Sequence, residues 1–194
     1  MSKCIQDKRL LFKKGAQSKL ISDLKVKYGL TWSEMAREVE VDLNVNGQRF
    51  RRKVQSRILL VDFLRDELEL TGTHIGCDTG HCGACTVMLD GVTVKSCLIL
   101  AVQANGSEVL TIEGVGQGGE LHPLQQAFLD HQGLQCGYCT PGMILSSLFL
   151  LKNNPSPSED ETRKAIDGNL CRCTGYLGIV KAVKAAATRM NKGP

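Results

Sequence analysis

A chain of 194 residues with 42% hydrophobic and 23% charged side chains has the balance of an ordinary globular protein, long enough for one domain or two small ones. Its net charge of +4 is concentrated at the front. Residues 1–38 carry nine Lys/Arg against four Asp/Glu, so the remainder comes to −1 and offers no clustered cations for nucleic acid. No apolar run reaches membrane-span length, no secretory leader is evident, and Arg51-Arg52 lies inside an alternating segment, so a cytoplasmic protein is expected.

Residues 1–38 read as a basic N-terminal extension. Leu20, Ile21, Leu24 and Tyr28 have helical spacing with a stop at Gly29, and Thr31 with Glu34 resembles a capping box opening a second short helix through Trp32, Met35 and Val39. Then the period changes. Val39, Val41, Leu43 and Val45 alternate with polar residues, Asn46-Gly47 signals a tight turn, and "QRFRRKV" runs back as a second strand. "RILLVDFLRDELEL" reads as an amphipathic helix. A cysteine-rich loop follows, then a hairpin turning at Asp90-Gly91, then a strand in "EVLTIEG". These elements predict a small mixed sheet with a helix packed on it, an α+β arrangement.

"GVGQGGE" is the best boundary, dividing residues 39–115 from residues 121–194 with 116–120 as linker. Beyond it four helices are expected: "LHPLQQAFLDH", "TPGMILSSLFLLKN" with an early proline, "SEDETRKAID" capped by Ser158 and Glu161 and stopped by Gly168, and "GYLGIVKAVKAAATRM".

Nine cysteines in such a chain need a reason, and in a reducing compartment clustered cysteines point to metal or redox chemistry. Cys4 stands apart as a bystander. Cys77, Cys82, Cys85 and Cys97 have the plant-type ferredoxin spacing for one 2Fe–2S cluster, and Gly76, Gly80 and Gly83 would let the loop turn its amides toward the sulfurs. Zinc also takes four thiolates, but it favours two close pairs, whereas three of these ligands crowd one loop. Cys136, Cys139, Cys171 and Cys173 form the second group. Alone this group leaves zinc, a disulfide pair or a second cluster open; beside the first, a second 2Fe–2S cluster fits best. Helix starts after "CGYC" and "CRC" would face that cluster, with Arg172 and the Gly168 and Gly175 breaks shaping the loop. His74, His81, His122 and His131 make no ligand pair by spacing, and no nucleophile–base set or phosphate loop is apparent.

"HIGCDTGHCGACTVMLDGVTVKSC", "LQCGYCTPGMI" and "GNLCRCTGY" closely resemble the iron–sulfur small subunit of the molybdenum hydroxylases, the xanthine oxidase family, over about residues 39–190. "FLRDELELTGTHIGCDTGHCGACTV" and "LAVQANG" look most like the small subunits of aerobic carbon monoxide dehydrogenase; those of aldehyde and N-heterocycle oxidoreductases are very similar. The resemblance implies a β-grasp ferredoxin domain followed by a four-helix 2Fe–2S domain. It also implies a molybdopterin-binding large subunit, an FAD-binding medium subunit and a dimer of heterotrimers. Water would supply the oxygen added to substrate. The cluster on Cys136, Cys139, Cys171 and Cys173 would lie nearest molybdenum, with the other relaying electrons to FAD, and Gln135 matches a glutamine that contacts the pterin. Residues 1–38 fall outside the resemblance. Two rival readings are a free ferredoxin-like carrier, against which the second cysteine group argues, and a zinc-stabilised interaction protein.

Overall fold

The computed structural model describes residues 37–116 and 118–191. The helices expected within residues 18–38, Cys4, and Gln117 of the glycine-rich break lie outside the described residues. Val39, expected both on the face of the second helix and at the head of the alternating run, lies in strand β1 (Glu38–Val45) and faces Val54 across the first hairpin.

β1 pairs antiparallel with β2 (Gln48–Gln55), Val45 opposite Gln48. Asn46 and Gly47 have φ of 54° and 79°, the double left-handed turn that suits the twist of a hairpin. Alternation buries Val41, Leu43 and Val45 while the other face carries Asp42, gripped by Arg49 at 2.7 Å and Arg51 at 2.9 Å. The expected long amphipathic helix over 57–70 is shorter and wider. α1 (Leu60–Asp62) runs into a π-helical turn over Phe63–Glu67, where Leu68 N–H donates to the Phe63 carbonyl at 3.1 Å. Leu60, Val61, Phe63 and Leu64 are all buried, a broader apolar arc than the regular helical stripe, and Glu69 at φ 58° ends the turn.

β3 (Thr86–Leu89) and β4 (Val92–Lys95) form the second hairpin through Asp90-Gly91, and β5 (Glu108–Leu110) closes the sheet. The strand order is β2-β1-β5-β3-β4, with β1 and β5 parallel and the other pairs antiparallel, so the sheet is mixed. Four α-helices follow among the described residues: α2 (Pro123–Asp130), α3 (Thr140–Asn153), α4 (Glu159–Ile166) and α5 (Leu177–Asn191). Ser158 and Glu161 make the expected capping box on α4, which ends at Ile166, just before Gly168. α2 is capped by a residue that sequence did not single out: Leu124 N–H donates to His122 Nδ1 at 3.1 Å.

Among the described residues the two larger apolar cores lie on either side of β3, and a small third cluster joins Val61 to Cys85 and Cys97. Val87 joins Val41, Leu43, Phe63, Leu64 and Val109 on one face. Met88, pointing the other way, joins Phe128, Met143, Leu145, Ile179 and Val183 of the helices. The sheet is therefore covered on both sides at β3. The cysteine loops lead into this strand and into the helix termini beside it.

Candidate metal centres

The first loop is anchored before it begins. The Arg65 guanidinium donates to the carbonyls of Thr71 and Thr73, both at 2.7 Å, fixing the chain that enters Gly76-Cys77. Gly80 and Gly83 have φ of 75° and 73°, so the loop curls where an L side chain would be strained. A Cβ on Gly76 would stand 3.0 Å from Cys82 Sγ, so bare backbone packs against that sulfur. Cys82 N–H donates to Cys77 Sγ at 3.4 Å. At the far end, Ser96 Oγ–H donates to the Cys85 carbonyl at 2.7 Å, holding Cys85 beside Cys97, and both are buried at 1% and 6% exposure.

The second loop is built from helix ends. Cys139 caps the N-terminus of α3, and Cys171 and Cys173 sit in the connection before α5. Cys173 Sγ–H points at Cys136 Sγ at 3.4 Å, and both residues are exposed. Cys171 is held by its own backbone: its N–H donates to Tyr176 Oη at 2.8 Å, while Thr174 Oγ1 lies 3.1 Å from its sulfur. Gly137 and Gly175 supply left-handed turns at φ 82° and 61°, and Arg172 is exposed between the two thiols.

Sequence spacing gave no role to His74 or Tyr138, yet they tie the two loops together. Tyr138 Oη–H donates to the Ile75 carbonyl at 2.7 Å, and the His74 ring stacks on the Tyr138 ring with centroids 4.5 Å apart. His74 Nδ1 also lies 2.9 Å from the Tyr138 carbonyl oxygen. The only signal was nearness to cysteines, Tyr138 next to Cys139 and His74 three residues before Cys77; their 64-residue separation hides the contact from any local pattern.

The thiols meet in pairs: Cys77 with Cys82, Cys85 with Cys97, Cys136 with Cys173, and Cys139 with Cys171. Among the described residues no three His, Cys, Asp or Glu side chains converge on a point that would hold a single ion. One tetrahedral zinc would need four sulfurs mutually about 3.8 Å apart, given a Zn–S bond of about 2.3 Å. Thiols that meet two by two suit a binuclear group in which each metal takes two thiolates.

The electrostatics fit a cationic occupant. Backbone N–H groups of Cys82 and Thr79 pull the Cys77 thiol down to about 6, which favours its thiolate. Burial, then the neighbouring Cys85, pushes Cys97 up to about 11; burial, then Cys171, pushes Cys139 up to about 12. Cys173 is raised by its contact with Cys136. At Cys171 burial works against ionisation, but hydrogen bonds from the Thr174 side chain and backbone outweigh it and lower the pKa. Four such sulfurs ionise together only when positive charge sits among them, as bound iron provides.

Residues 43–111 match a family model described as a 2Fe-2S iron-sulfur cluster binding domain, and residues 111–184 match one described as a 2Fe-2S binding domain. The chain is 52% identical over 150 residues to the caffeine dehydrogenase subunit gamma of Pseudomonas sp. (strain CBB1), covering 76% of this chain and 90% of that one. It is 50% identical over 145 residues to the nicotine 6-hydroxylase small subunit of Paenarthrobacter nicotinovorans, covering 75% and 87%. Quinoline 2-oxidoreductase from Pseudomonas putida 86 is similar in structure, with a TM-score of 0.78 and 45% identity over 80% of this chain and 98% of the matched chain.

Proposed function

Since the chain belongs to the iron–sulfur small subunits of the molybdenum hydroxylases, we propose that it is the non-catalytic electron conduit of an N-heterocycle oxidoreductase. In this reading Cys77, Cys82, Cys85 and Cys97 hold one 2Fe–2S cluster and Cys136, Cys139, Cys171 and Cys173 the other, on a β-grasp module over 39–115 and a four-helix module over 121–194. The pairing of the eight thiols carries the assignment.

A bound 2Fe–2S cluster accepts and returns a single electron. The chain's own residues prepare for that. Amides at Cys82 and Thr79 favour a thiolate at Cys77, and burial of Cys85 and Cys97 keeps water from one end of the first site. The exposure of Gln135, Cys136 and Cys173 leaves the second site open to a partner. A molybdopterin-binding large subunit would cover that face, with the Gln135 amide both donating to and accepting from the pterin ring, and an FAD-binding medium subunit would lie beyond the first site. Substrate would be selected on the large subunit. The relatives with which this chain shares half its aligned residues are named for caffeine and nicotine, which favours a nitrogen heterocycle over the carbon monoxide suggested by the sequence resemblance.

The test is purification of the chain with whatever assembles on it, followed by iron, sulfide, molybdenum and flavin analysis and the masses of the companion chains. A molybdenum- and flavin-containing complex is expected. A lone chain with stoichiometric zinc and no acid-labile sulfide would overturn the proposal.

A further inference from the structure

Between the two cysteine loops the fold buries a polar side chain that neither ligand set uses. Asn169, 2% exposed, lies two residues before Cys171. Its Nδ2 donates to the Gly83 carbonyl at 2.9 Å and lies 3.3 Å from Thr86 Oγ1, while its Oδ1 accepts from Ser146 Oγ at 2.8 Å. Gly83 follows Cys82 in the first loop, Thr86 opens β3, and Ser146 stands on α3, the helix capped by Cys139. One amide thus joins an element from each loop to the helix beneath them.

The surrounding contacts leave no slack. Leu170 N–H donates to the Cys82 carbonyl at 2.8 Å, so the residue preceding Cys171 is bonded directly to a cysteine of the other site. Lys95 Nζ bridges Thr86 Oγ1 at 2.9 Å and the Gly168 carbonyl at 2.7 Å. A Cβ on Gly83 or on Gly142 would stand 2.8 Å from Asn169 Nδ2, so the backbones of loop and helix meet at the amide. The three Asn169 side-chain contacts are buried, so each is costly to leave unmade, while the Lys95 and Leu170 bonds brace them from the more exposed rim. The chemistry also selects asparagine. A carboxylate would set lone pairs against the Gly83 carbonyl, and an apolar side chain would leave the Ser146 hydroxyl without its acceptor and take the loop-to-loop donor from the Gly83 carbonyl, which would keep only its local bonds from Thr86.

We propose that Asn169 is a positioning residue that fixes the separation and relative orientation of the two cysteine loops, and with them of the two cluster sites. The inference rests on the reading of the eight thiols as cluster ligands. It concerns how far apart the two sites are held, whereas that reading concerns what fills them.

The experiment uses the full chain in its assembled complex, as wild type, Asn169→Leu and Ser146→Ala. Iron per chain is measured, then the EPR spectrum with one cluster reduced and with both. When both are reduced, their magnetic coupling falls with the inverse cube of their separation. Asn169→Leu should keep its iron and both single-cluster signals while the mutual splitting changes or is lost. Ser146→Ala, which removes only the anchor on Oδ1, should shift it in the same direction by less. A structural contribution alone would lower the melting temperature without moving the splitting. A splitting unchanged in Asn169→Leu overturns the proposal, as do two loaded wild-type clusters with no coupling. Should Asn169→Leu not fold, an unchanged splitting in Ser146→Ala overturns it. Absence of iron from the wild-type chain would instead refute the cluster reading.

Discussion

Gly83→Ala probes a point at which the first cysteine loop packs tightly against the chain before Cys171. Gly83 sits at φ 73°, where an L residue costs about 1–2 kcal/mol. The added Cβ would collide with the Gly168 carbonyl oxygen and stand 2.8 Å from both Asn169 Nδ2 and Lys95 Nζ. Overpacking of this kind adds about 1–3 kcal/mol, giving a loss of roughly 2–5 kcal/mol in all. For a chain of this size that lowers the melting temperature by about 4–20 °C. Gly106→Ala is the control, because Gly106 has φ 82° but nothing within 4 Å of its Cβ position. It should lose only the backbone part, about 1–2 kcal/mol. The two variants are compared with wild type by calorimetry in the same buffer. A Gly83→Ala protein that melts together with Gly106→Ala would refute this tight packing.

Three further outcomes are expected. Asp42 is held well below the usual carboxylate range by hydrogen bonds from Arg49 and Arg51. Its contribution is therefore full above the unfolded value near pH ~3.9 and is lost as pH falls toward the folded value. The melting-temperature gap between wild type and Asp42→Asn should be level at neutral pH, close in acid, and shrink in high salt because the pair is exposed. Phe128→Ala removes a fully buried ring from the helical core and should cost about 3–5 kcal/mol, read as a lower urea midpoint at unchanged slope. Gln135→Ala should leave iron content and reduction by dithionite unchanged while slowing cluster bleaching by the complex's substrate in stopped flow; unchanged substrate-driven bleaching at full molybdenum occupancy would remove Gln135 from the interface.

What was legible in the sequence was local. The turns at Asn46-Gly47 and Asp90-Gly91 announced both hairpins, because positive φ at both turn positions selects those residue types. Ser158 and Glu161 announced α4 through a contact three residues long. The parallel pairing of β1 with β5 had no such signal, since it depends on which edge remains free once the hairpins have formed. The π-helical turn was hidden for a related reason: the sequence shows which residues are apolar, but the two-sided cover available to Leu60–Leu64 is a property of the finished fold. The cysteine spacings were visible, whereas the Tyr138 and Asn169 contacts between the loops span 63 and 86 residues and could be found only in three dimensions.

The central claim is that eight thiols hold two separate 2Fe–2S clusters, and single-ligand variants measured by EPR on the assembled protein test it most directly. Reduced wild type should show two distinct signals with about four iron atoms per chain, as expected for eight thiolate ligands at four per cluster. Cys77→Ser should abolish or reshape one signal and Cys171→Ser the other, each leaving the second signal in place. A single signal in wild type, or a spectrum that both variants leave unchanged, would contradict the account.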